Sequence, residues 1–161
     1  MTAMLIASFI TAASAATLSV GTPEGYETIS EAIDASVDGD RIEVAAGTYN
    51  EQINLGGKAV TLISVSGPAD TIVQSESTPL MMLNSGEDSE SIVSGFSFRG
   101  GAQTCIYIEG GSPHIENIIV ENCGAPIGVY GGALETSAAS PTIRDAQFRN
   151  NRAQMGGSVY V

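Results

Sequence analysis

The tetrapeptide Ser112-Pro113-His114-Ile115 returns as Ser140-Pro141-Thr142-Ile143, 28 residues later. Five residues beyond each isoleucine stands a second apolar residue, Val120 and Phe148, and two beyond those stand Asn122 and Asn150. Upstream, Val93 and Phe98 keep the same five-residue gap, 22 residues before Ile115 and Val120. Val129-Tyr130 aligns in the same way with Val159-Tyr160. Self-similarity at this period, with turns of variable length, describes a stack of coils. A single coil cannot bury its own apolar face and relies on the coil above and below it. Leucine-rich repeats share the period, but they need an L-x-x-L-x-L pattern and a helix in each repeat, and neither is present.

The segments between turns are short. Arg41 to Val44, Val60 to Leu62, Ile72-Val73, Leu80 to Leu83, Ile106 to Ile108, Ile127 to Val129 and Val159 to Val161 are apolar or alternating. Glycines separate them, often in pairs such as Gly110-Gly111, Gly131-Gly132 and Gly156-Gly157. Strands this short do not hold a free-standing meander together. Few charged residues, 15% of the chain, and 19 glycines fit strands and turns rather than a helix bundle. The expected fold is all-β, a parallel β-helix of about six coils that begins near residue 41.

One helix is predicted, over residues 28–38, as a cap on the first coil. Thr28-Ile29-Ser30-Glu31 is a capping box. Ile29, Ala32, Ile33 and Val37 form an apolar stripe at helical spacing, and Gly39 is the expected C′ residue. Side chains just after core positions should stack outward from coil to coil. Arg99, Glu121 and Arg149 form one such column, and Glu116 and Arg144 another. Both alternate in sign, as favourable neighbours on a sheet would. Asn122 and Asn150 fall in a turn column.

Residues 1–15 carry no charged side chain, Met4 to Ile10 are mostly apolar, and Ala13-Ser14-Ala15 has the small-x-small form of a cleavage site. They read as a secretory signal peptide, with the β-helix domain over 16–161. No segment is long enough to be a transmembrane helix. In an oxidising compartment Cys105 and Cys123 either pair or pack as two small apolar side chains, and their spacing does not decide between these. The net charge of −12 with only six Lys and Arg disfavours nucleic acid and anionic membrane surfaces.

The stretch from Tyr26 to Val73 resembles the start of the right-handed parallel β-helix proteins of the pectin-lyase-like superfamily. Those open with a capping helix, a GD-x-I-x-V-x-x-G-x-Y coil and a GK-x-V/I-T-L coil. Gly39-Asp40, Ile42, Val44, Gly47, Tyr49 and Lys58 to Leu62 occupy those positions. Val93 to Phe98 resembles the I-x-G-F-T-I coil of the same proteins. The resemblance implies a right-handed solenoid and leaves activity open, because many functions use this scaffold. Gly47-Thr48-Tyr49-Asn50-Glu51 also resembles the G-x-Y-x-E coil of pectin methylesterases. The Asp-Phe and Arg-Pro-Trp contexts of their chemistry are missing from this sequence.

No catalytic constellation or metal site emerges. His114 is the only histidine and is expected to face solvent. Glu87-Asp88-Ser89-Glu90 is the densest acidic cluster and reads as an exposed loop rather than a calcium cradle. No cofactor is expected. Strand alternation places Tyr107, Tyr130 and Tyr160 outward, predicted as one ladder on one sheet. Such rings either shield the strands or stack on sugar rings, with Glu109 as a neighbouring hydroxyl acceptor. The expected function is that of a secreted or cell-surface non-catalytic β-helix, structural, adhesive or in contact with a polysaccharide or surface glycan. The alternatives are the amino-terminal part of a polysaccharide lyase, hydrolase or esterase whose catalytic coils lie beyond a truncated carboxyl end, and a repeat array with a partner protein along one face.

Overall fold

A computed structural model describes residues 14–76, 79–124 and 130–161. Residues 1–13 of the expected leader and the expected strand Ile127 to Val129 lie outside the described residues. The chain forms a parallel β-solenoid of about five turns. Its strands are β1 (Thr17–Val20), β2 (Arg41–Val44), β3 (Gly47–Asn50), β4 (Thr61–Ser64), β5 (Thr71–Gln74), β6 (Met81–Leu83), β7 (Ile92–Ser94), β8 (Ser97–Gly101), β9 (Ile106–Glu109), β10 (His114–Cys123), β11 (Leu134–Ser137), β12 (Thr142–Arg149) and β13 (Val159–Tyr160). One helix, α1 (Ile29–Ala35), follows β1.

Three faces enclose the core. The first stacks β1, β2, β4 and β7 on the leading half of β10 and of β12, and aligns Leu18, Ile42, Leu62, Val93, Ile115 and Ile143. The second stacks β3, β5 and β8 on the trailing halves of β10 and β12, and aligns Tyr49, Val73, Phe98, Val120 and Phe148. The third stacks β6, β9, β11 and β13, and aligns Met81, Ile106, Leu134 and Val159. The five-residue gap read from the sequence is therefore the distance between two faces of one coil. The first face carries six rungs and the second five, since the chain leaves β1 for the helix instead of completing a turn; the third carries four strands, with Ile53 bridging to Met81 as a fifth rung. From residue 41 onward β2, β4, β7, β10 and β12 each begin a coil on this face, which gives about five turns where six coils were expected.

β1 was not anticipated, nor was the shortness of the helix. Thr28 Oγ accepts from Glu31 N–H at 3.2 Å, and the Glu31 carboxylate accepts from Thr28 N–H at 3.2 Å. The box is thus in place, and Ile29, Ala32 and Ile33 are buried. The helix ends at Ala35 because Ser36 is extended, with its hydroxyl donating to Ile33 O at 2.8 Å. Val37 consequently swings out to 54% exposure instead of joining the stripe. Gly39, at φ +89°, serves the turn beyond rather than the helix.

Charged side chains from the next coil grip both ends of α1. The Glu51 carboxylate accepts from Ile29 N–H at 2.9 Å and from Ser30 N–H at 2.8 Å. Lys58 Nζ donates to the carbonyls of Ile33, Asp34 and Ser36. An anion at the amino end and a cation at the carboxyl end both oppose the helix dipole. Tyr49 packs into the core with its hydroxyl donating to Ala45 O at 3.0 Å. Burial, with the nearby Glu51 charge, raises its phenol above the ordinary tyrosine range.

Cys105 and Cys123 form a disulfide with Cα atoms 5.7 Å apart, which ties the approach to β9 to the end of β10. Both residues are buried. The bond closes a loop with a sequence separation of 18. Replacing both cysteines by alanine is expected to cost about 3 kcal/mol, from the chain entropy restored to the unfolded state. Urea unfolding of the oxidised protein and of the double variant measures the difference.

Candidate functional site

The outward columns behave as the repeat alignment requires on the second face. Arg99 pairs in register with Glu121, and Glu121 with Arg149. Arg99 Nε lies 2.7 Å from Glu121 Oε1. Glu116 likewise lies opposite Arg144. Asn122 and Asn150 follow at φ +59° and +53°, in the left-handed region that asparagine tolerates better than most residues. Asn151 makes the bonds to the backbone of the coil before: its Nδ2 donates to Val120 O at 2.9 Å, and its Oδ1 accepts from Cys123 N–H at 3.0 Å.

The same outward column extends back two rungs to Asn50 and Gln74, which were not singled out from the sequence. They follow the core residues Tyr49 and Val73 just as Arg99 follows Phe98. Gln74 Nε2 donates to Asn50 Oδ1 at 2.8 Å. Beside them lies an open cleft of about 560 Å³ lined by Asn50, Gln74, Ser75, Glu76, Arg99 and Gly100. The offset from the core residue was the available signal. Seven residues separate Ile42 from Tyr49 and eleven separate Leu62 from Val73, so these two coils lack the five-residue gap that marks the later ones.

The acidic cluster divides. Asp88, Ser89 and Glu90 are exposed as expected, whereas Glu87 is fully buried. Its carboxylate accepts from Gly57 N–H and Ser85 N–H, each at 3.0 Å. It is a brace between coils. Among the described residues no three His, Cys, Asp or Glu side chains gather as a metal site. No helix among them is long and apolar enough to cross a membrane. His114 is half-buried at the start of β10.

The tyrosine ladder needs correction. Tyr107 pairs in register with Met82 on one side and Glu135 on the other, and Glu135 pairs with Tyr160. Glu135, not Tyr130, fills the rung between Tyr107 and Tyr160. Tyr130 precedes the Gly131-Gly132 turn and bridges Met155 instead. The cause is turn length. Ile106 to Leu134 and Leu134 to Val159 are the true repeats, so the match of Val129-Tyr130 with Val159-Tyr160 is out of step.

Tyr130 nevertheless reaches the site from the side. Its ring centroid lies 5.5 Å from that of Tyr160, with the planes tilted by 48°. Tyr130 is 46% exposed and Tyr160 36%, while Tyr107 is half-buried. Room for Tyr160 comes from two glycines. A Cβ added at Gly131 or at Gly156 would lie 3.0 Å from Tyr160 Cβ. Thr104 Oγ donates 3.2 Å to Glu135 Oε2, which holds the carboxylate beside the rings. The outcome is an aromatic patch with one acid set between two tyrosines of the same column. Compared with known proteins, the chain matches no family model and no curated protein.

Proposed function

We propose that this is a secreted or cell-surface β-helix of the pectin-lyase-like superfamily, non-catalytic, that contacts a polysaccharide or surface glycan through Tyr107, Glu135, Tyr160 and Tyr130. The observation that carries the reading is the spacing of that column. Tyr107 and Tyr160 stand two rungs apart, roughly 9.6 Å at ~4.8 Å per rung, with a carboxylate between them. Two rings at that separation suit stacking on sugar rings, and Glu135 suits a hydroxyl donor between them. Glu135 takes the part first given to Glu109.

The family-like motifs support the non-catalytic half of the reading. Glu51 and Lys58, their most conspicuous charged residues, are both engaged with the backbone of α1. Tyr49 is in the core. A residue occupied in this way is not free to bind substrate or move a proton. The buried disulfide suits an oxidising compartment, in keeping with the uncharged leader.

The test is a glycan array probed with the protein and with the Tyr107→Ala/Tyr160→Ala double variant. Binding is expected to vanish in the double variant while cooperative unfolding persists. Binding that survives the double substitution rules the patch out. Bond cleavage of a bound polysaccharide by the unsubstituted protein overturns the non-catalytic reading.

A further inference from the structure

Asp40 is 4% exposed, and each carboxylate oxygen takes one backbone donor. Oδ1 accepts from Ala16 N–H at 2.7 Å and Oδ2 from Val37 N–H at 2.9 Å. These two bonds, Val37 first, hold its carboxyl below the usual aspartate range despite burial. Among the described residues the ion pairs are Arg41–Glu43 and Arg99–Glu121, so no side-chain cation stands at pairing distance from Asp40. Its direct partners are two neutral donors, and the Lys58 charge attracts it only from beyond pairing distance, so the buried carboxylate is incompletely compensated. The other charges nearby are occupied: Lys58 with the helix carbonyls, Asp38 with Ala59 N–H, and Arg41 with Glu43.

The Oδ1 partner lies at the very start of the solenoid. Ala16 O accepts from Arg41 N–H at 2.8 Å, and the register of β1 against β2 begins at Thr17. Ser14, Ala15 and Ala16 are exposed, so the Ala15–Ala16 bond is open to a peptidase. It is also the bond that Ala13-Ser14-Ala15 marks for cleavage.

We infer that Ala16 is the mature amino terminus and that its α-ammonium forms an ion pair with Asp40, locking β1 onto the solenoid once the leader is removed. The inference rests on the export reading above. A leader peptidase supplies water to the Ala15–Ala16 bond. The hydroxyl goes to the Ala15 carbonyl carbon as the C–N bond breaks, the other hydrogen of the water goes to the Ala16 nitrogen, and the new acid gives up its proton, leaving a carboxylate on the leader and an amine that takes up one proton. At neutral pH that nitrogen is largely –NH3⁺, since α-amino groups titrate near ~7.7–8.0. It already lies 2.7 Å from Oδ1, so cleavage exchanges a neutral donor for a charged one without moving the chain. Charge-assisted hydrogen bonds are roughly twice as strong as neutral ones. A cut one residue earlier or later would set the charge out of line with Asp40.

The experiment compares protein beginning at Ala16 with a free amine and with an acetylated amine, each with Asp40 and with Asp40→Asn. Acetylation is expected to lower the urea midpoint of the Asp40 protein and to leave that of the Asp40→Asn protein nearly unchanged. Equal midpoints for the free and acetylated Asp40 proteins overturn the inference. Should Asp40→Asn fail to fold, NMR titration of the α-amine in the Asp40 protein decides: a pKa raised above the ordinary α-amino range supports the pair, and an ordinary one overturns it. Mass spectrometry of material secreted from the full chain is expected to begin at Ala16. A start at another residue overturns the inference and leaves export standing. An intact leader on all the protein overturns both.

Discussion

Truncating Phe98 to alanine is expected to cost about 3–5 kcal/mol, the range for removing a buried phenylalanine. Phe98 is fully buried on β8, in register between Val73 and Val120, and its ring centroid lies 6.3 Å from that of Phe96. Coils above and below pin it, so the space it leaves does not close by moving one strand. A chain of this length loses roughly 2–4 °C of Tm per kcal/mol, hence roughly 6–20 °C for this substitution. Phe148 is the control. It occupies the same column on the final rung but is only partly buried. Phe148→Ala is expected to cost less than half as much. Equal losses at the two positions would mean that the second face is not stacked as described. Thermal unfolding followed by circular dichroism reads both.

In the last three coils the first and second faces were readable because each coil presents one apolar residue per face at a fixed five-residue gap, whereas in the two before them the gap widens from Ile42 to Tyr49 and from Leu62 to Val73. Val93 and Phe98, Ile115 and Val120, and Ile143 and Phe148 pair in the register their spacing demands. The sign alternation of Arg99, Glu121 and Arg149 was an independent check, since a slip of one residue would have broken it. The third face was harder. It lies across turns of unequal length, and a dipeptide match there carries no sign pattern to correct it. Tyr130 was misplaced for that reason. β1 was hidden for another: Thr17 to Val20 follows the apolar opening stretch and precedes α1, so no earlier coil marks it as a repeat. The burial of Glu87 has no trace in composition or spacing, because its partners are backbone N–H groups of Gly57 and Ser85, which no side-chain pattern marks.

The amino-terminal cap makes the other large prediction. A solenoid's first coil has no neighbour on its outer side, and its apolar residues must be covered by something else. Here α1 packs on β1 and β2 and buries Ile29, Ala32 and Ile33. The helix is only seven residues long, too short to hold its shape alone in water. Its persistence depends on the apolar face it buries and on the charged grip of Glu51 and Lys58. Ile33→Ala should therefore cost about 2–5 kcal/mol, because the missing side chain opens a gap between helix and first coil. Val37→Ala, on the residue the helical pattern grouped with Ile33, should cost within about 0.5 kcal/mol, as is typical of an exposed site. Val37 is 54% exposed, while Ile33 is 3% exposed. Urea midpoints of the two variants measure the contrast. A loss at Ile33 below about 0.5 kcal/mol would mean that the helix rests on the solenoid without plugging it. A loss at Val37 as large as that at Ile33 would restore the longer helix that the sequence pattern implies.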